Sequence, residues 1–156
     1  METKQLVLKR TLETINEDLD VVGLDNRLRL QKAIYLVQAA GADLGYTYSW
    51  YIKGPYSTGL TQDYFALAEN SEDDDQRNLS AAFTDKVREA AKVLLKPKKL
   101  TAQKHEWYEL LASLHFMRTQ EKISEANLPK MIEQRKPHLA SFTNEGIQHL
   151  KTHALI

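Results

Sequence analysis

The chain has 156 residues, 21 basic against 21 acidic, with 42% hydrophobic and 27% charged side chains and no cysteine. A domain of this length buries roughly two-thirds of its unfolded surface without a covalent or metal staple, and the lack of cysteine excludes a disulfide framework, a thiolate zinc site and a cysteine nucleophile. Balanced charge excludes a surface that is uniformly a trap for nucleic acid or membrane, and no apolar run approaches the about 20 residues of a membrane span.

Met1 to Arg10 lacks the long apolar core of a secretory signal, so the expected address is the cytoplasm. Leu8, Leu12, Ile15 and Leu19 then recur at helical spacing and mark a first helix. Val21 to Asp25 breaks it. Asp25 is the expected N-cap of a second helix bearing Leu30, Ile34 and Val37 and ending near Gly41, with Arg27 and Lys32 on its polar side. From Tyr46 to Lys53 the period changes to two. Tyr46, Tyr48, Trp50 and Ile52 alternate with Thr47, Ser49, Tyr51 and Lys53, the pattern of a strand with one buried face. Gly54-Pro55 is expected to end that strand, because proline has no N–H to donate to a ladder. Ser57 then caps a third helix with Leu60, Tyr64 and Leu67 on one side.

Residues 70–78 are polar, acidic and aperiodic, and read as a solvated loop, the best candidate for disorder in the chain. Phe83, Val87, Ala90 and Leu94 mark a fourth helix. Trp107, Leu110, Leu111, Leu114 and Met117 mark a fifth, the strongest amphipathic signal present. A short element spans Leu128 to Ile132, and Thr143 opens a last helix containing Ile147 and Leu150. The expected fold is therefore mainly α (α+β). It is one helical domain over residues 1–156, with one short aromatic strand or hairpin, winged-helix-like at most in its first half, and an acidic loop at 70–78.

Within Leu28 to Leu67 stand a helix of the form LQKxxYL (Leu30, Gln31, Lys32, Tyr35, Leu36), an aromatic strand, the turn Gly54-Pro55-Tyr56-Ser57, and Leu60 three places after the serine. In order and spacing this stretch resembles the YwgA-like and SocA-like Panacea proteins, small bacterial and phage-associated proteins whose SocA-like members are antitoxins. The segment from His105 to Met117 and Arg135-Lys136-Pro137 are similar to the C-terminal part of the YwgA-like branch. Panacea proteins usually carry Gly-Pro-Val where this chain has Gly-Pro-Tyr-Ser, which places it nearer that branch. The resemblance implies a fold and an antitoxin-like role with a toxin as partner.

No nucleophile, base and orienting partner assemble from the motifs. There is no G-x-S-x-G, no phosphate-binding loop and no dinucleotide fingerprint, so no enzyme and no cofactor are expected. His149 and His153 lie one helical turn apart without a third ligand and read as solvent-exposed. His105, Glu106 and Glu109 form half of a zincin motif and read as a solvated helix face. Asp73, Asp74 and Asp75 lack the alternation of a calcium loop. These histidines and the acidic loop support only a last-ranked reading, a metal-dependent hydrolase, and no metal site is assigned.

Five of the seven tyrosines fall between Tyr46 and Tyr64. Tyr51 and Tyr56, beside a rigid turn, offer contact area at little entropic cost. The first-ranked function is accordingly a non-enzymatic protein-interaction or regulatory factor that docks an unidentified protein through Tyr51, Lys53, Gly54, Pro55, Tyr56 and Ser57. The alternative is a nucleic-acid-binding winged-helix-like module. There the third helix would enter the groove carrying Asp63 and no basic residue, so binding falls to a ridge of Arg88, Lys92 and Lys96. Segregated charge is also compatible with self-association. No membrane partner is expected.

Overall fold

A computed structural model describes residues 1–70 and 74–156, and Asp73 of the acidic stretch falls outside them. Among the described residues there are seven α-helices and one two-stranded antiparallel sheet, so the protein is mainly α with a small hairpin. The helices are α1 (Thr3–Thr14), α2 (Leu24–Ala39), α3 (Thr58–Glu69), α4 (Ala81–Ala90), α5 (Lys104–Thr119), α6 (Leu128–Arg135) and α7 (Thr143–Thr152). The hairpin, β1 (Ser49–Tyr51) and β2 (Gly54–Tyr56), lies between α2 and α3.

Helices α2 and α5 pack along each other through the middle of the molecule. Both are buried nearly all round: Leu30 to Val37 is interior without a break, as is Trp107 to Leu114. The amphipathic reading of α5 is thereby corrected, since a helix enclosed by neighbours has no solvated stripe. α1 packs on α3 and α4, while α6 and α7 close over α5. The end of α1 is tied down by Glu17, a buried carboxylate that pairs with Arg29 at 3.0 Å and Lys104 at 2.7 Å and accepts the Tyr108 hydroxyl at 2.8 Å.

Local chemistry sets the element ends. Ser57 accepts the Leu60 N–H at 3.2 Å and opens α3, as its position before the apolar run implied. Ser80 does the same for α4 through Phe83 at 3.1 Å. Asp25 does not cap α2; Gly23 holds that place at φ +86°, and Asp25 lies inside the first turn, where its charge suits the helix dipole. After Ala90 the chain tightens into a 3-10 turn over Ala91–Leu94, so α4 is shorter than its apolar period suggested.

Pro55 does not end the sheet. It sits in β2 opposite Trp50, with Tyr51 facing Gly54 and Ser49 facing Tyr56 around a two-residue link, Ile52-Lys53. In such a hairpin the pair beside the link exchanges hydrogen bonds and the next pair does not, so the N and C=O of Pro55 point away from β1. The missing N–H therefore costs the ladder nothing. Described residues of the acidic stretch are held as well as solvated: Arg10 donates to the carbonyls of Asp75 and Arg77, and Arg77 donates to the Met1 carbonyl at 2.9 Å.

Candidate docking site at the hairpin

One face of α2 grips the backbone of the segment that carries the hairpin. The Gln38 side chain donates to the Tyr46 carbonyl at 2.7 Å and accepts its N–H at 3.1 Å. Gln31 does the same for Ser57, with both bonds at 2.9 Å. Between these clamps the Lys32 ammonium donates to the outward-pointing Pro55 carbonyl at 2.6 Å. Gln31-Lys32 and Gly54-Pro55-Tyr56-Ser57, distant in sequence, thus meet as one polar contact. Lys32 is 1% exposed, which overturns its placement on a solvated helix face.

Beneath the turn lies a cluster that sequence patterning did not reveal. Lys136, 2% exposed, pairs with Glu109 at 2.7 Å, and His138 reaches the same carboxylate oxygen at 3.4 Å. Glu109 is buried, so the His105-Glu106-Glu109 face is not a solvated one throughout. Gly54 closes the cluster from above at φ +104°; a Cβ there would stand 2.9 Å from Ser113 Oγ and 3.5 Å from Lys32 Cε. Ser113 Oγ is itself buried without a hydrogen-bond partner among the described residues. Burial lowers the Lys32 pKa from 10.5 to about 7, the Lys136 ammonium lowering it further and Glu109 opposing both. Burial likewise lowers Lys136, against the hydrogen bond and charge of Glu109. Glu109 pairs with the Lys136 ammonium while the Lys32 amine is engaged by the Pro55 carbonyl, so the geometry is that of an internal clamp.

In front of this clamp the hairpin tip is open to solvent. Tyr51 is 60% and Ile52 76% exposed, and Lys53 is exposed beside them. Tyr56 is half-buried, its ring 5.5 Å from that of Tyr51 and its hydroxyl bonded to Thr61 at 2.7 Å. Gly54, Pro55 and Ser57 are buried. The six residues expected to form a docking face therefore divide: Tyr51, Lys53 and Tyr56 reach the surface, and the other three shape and fix it from behind. On the far side of β1, Trp50 is half-buried under the Arg135 guanidinium, 5.0 Å from its ring, with the Lys136 ammonium at 5.5 Å. Arg135 is oriented by two bonds of 2.8 Å to Glu121.

Between the hairpin and the first turns of α2 runs a groove of about 590 Å³. Leu24 and Leu28 line one side and Tyr51, Ile52 and Tyr56 the other, with Tyr64 of α3 also on the wall.

The other sites expected from sequence fare differently. Arg88, Lys92 and Lys96 do not share one helix: α4 ends at Ala90, Lys92 sits in the 3-10 turn and Lys96 beyond it. Arg88 and Lys92 face Asp85 at 3.9 Å and Glu89 at 2.7 Å, and Lys96 donates to the Leu100 carbonyl at 2.8 Å. The continuous ridge is thus broken, with Arg88 and Lys92 beside carboxylates and Lys96 turned to a backbone carbonyl. His149 is half-buried rather than solvent-exposed: it bonds the Val93 carbonyl at 2.7 Å, meets the Trp107 ring edge-on and lies tilted against His153. Among the described residues no three His, Cys, Asp or Glu side chains gather as a metal site, and no helix is long and apolar enough to cross a membrane.

No family model, curated protein or solved structure matches this chain.

Proposed function

We propose that the protein is a non-catalytic protein-interaction module that docks a partner on the hairpin tip and its groove. One observation carries this reading: two adjacent large side chains, Tyr51 and Ile52, stand in solvent at the end of a ribbon whose backbone is fixed by Lys32 and Gln31. Exposed apolar area on a pre-ordered support loses little conformational freedom on binding, which is what makes a contact surface effective. Scattered apolar residues are ordinary on any surface, but these two border an apolar groove with a third, Leu24, 53% exposed. The antitoxin-like role implied by the Panacea resemblance is one form of this module, with a toxin as its partner, and a cytoplasmic address belongs to the same proposal.

The test is site-specific photocrosslinking in cells expressing the full chain. Benzoylphenylalanine at position 52 is expected to capture one discrete protein, and the same group at exposed position 99 is expected to capture none. Tyr51→Ala in the position-52 background should abolish the adduct while far-UV circular dichroism stays unchanged. Equal capture at both positions, or none at position 52, refutes the proposal.

A further inference from the structure

The charge around the groove is one-sided. Arg27, Lys32 and Lys53 line it, and no carboxylate is among its described lining residues. Several cations elsewhere are paired: Arg10 with Glu13, Arg29 with Glu17, Arg77 with Asp75 and Arg135 with Glu121. Arg27 instead uses its guanidinium on the Val21 carbonyl at 3.0 Å, and neither it nor Lys53 meets a carboxylate among the described residues. Lys32 is buried and spent on Pro55, so Arg27 and Lys53 are the two cations able to meet an incoming group, one on each side of an apolar floor.

We infer that the occupant of this groove is an acidic segment of a partner protein carrying an apolar anchor. Its aliphatic or aromatic side chain enters between Leu28 and Ile52, and flanking carboxylates meet Arg27 and Lys53. The inference rests on the docking reading above and adds the chemistry of the partner. An apolar anchor supplies area, while flanking charge of complementary sign supplies orientation and on-rate and rejects segments of the wrong sign. Binding of this kind weakens with added salt, because both cations lie at the rim.

The experiment uses the full chain, isotopically labelled for amide NMR, and three probes: a short peptide pool with Leu, Phe or Trp flanked by Asp and Glu, the same pool flanked by Lys and Arg, and oligodeoxythymidine. The acidic pool is expected to shift the amides of residues 24–28 and 51–54. Lys53→Glu, at an exposed position that tolerates the change, and Arg27→Glu with it, should weaken that pool by about tenfold or more and let the basic pool bind. Equal binding of the basic and acidic pools to the unaltered chain overturns the acidic partner but leaves the docking face, as does silence from every pool while position 52 still crosslinks. Silence with no crosslink overturns both. Oligodeoxythymidine shifting the same amides while the peptides do not also overturns both.

Discussion

Replacing Lys32 by methionine tests the internal clamp through a change of sign. The ammonium is 1% exposed, and its pKa falls from 10.5 to about 7. At about 1.4 kcal/mol per tenfold, that lowering sets a ceiling of about 5 kcal/mol on the cost of keeping the charge buried. The unfolded chain holds this proton up to its ordinary pKa and the folded chain releases it earlier. The cost is therefore fully present below about pH 7 and is relieved as pH rises toward 10.5. Methionine removes the charge but leaves the Pro55 carbonyl without its donor, a loss of about 1–3 kcal/mol. Lys32→Met should then be about 2 kcal/mol more stable than the parent near pH 6 and about 1 kcal/mol less stable near pH 9.5, a swing of about 3 kcal/mol. Other groups do not change the comparison. His115 and His149 are lowered from 6.5 by burial, but both are present in both proteins and cancel in the difference. Tyr35, Tyr46, Tyr48 and Tyr108 are raised above 10.0 by burial, so they reduce stability only at higher pH. Lys136 shares the direction of Lys32, but it is present in both proteins. Urea unfolding followed by far-UV circular dichroism across this range measures the difference. A gap between the two proteins that moves by less than about 1 kcal/mol refutes the buried-charge account.

Gly54→Ala should destabilise by about 2–3 kcal/mol, since alanine at this positive φ is strained and its Cβ meets Ser113 Oγ at 2.9 Å. Ser113→Ala in the same chain should recover the steric part, and strictly additive effects in urea titrations would refute the contact. Glu109→Gln leaves the buried Lys136 ammonium without its carboxylate and should cost about 3–5 kcal/mol near neutral pH, a large drop in melting temperature. Ser57→Ala removes the acceptor for the Leu60 N–H and should cost about 1 kcal/mol by the same unfolding assay.

Residue patterning reaches the helices because their cores repeat. Leu30, Ile34 and Val37 in α2, and Trp107, Leu110, Leu111 and Leu114 in α5, are interior as their spacing required. The same logic misplaces Lys32 and Glu109. A charged residue reads as solvated, and the groups that make its burial tolerable come from far along the chain: Pro55 for Lys32, and Lys136, 27 residues on, for Glu109. A hairpin was one of the two expected forms, but the place of Pro55 in its second strand was not legible. A proline argues against a ladder until the register shows which way its nitrogen points, and register is a property of the pair. His149 likewise needed the Val93 carbonyl, from a turn 56 residues earlier, to leave solvent.

The placement of the two tryptophans gives the molecule its own optical gauge. Trp107 is wholly enclosed at the centre, whereas Trp50 stands on the hairpin under two cations. A Trp107→Phe chain would emit from Trp50 alone, and any molecule that settles on the ribbon or displaces Arg135 would change the colour and yield of that emission. Occupancy can thus be followed with no dye attached to either participant.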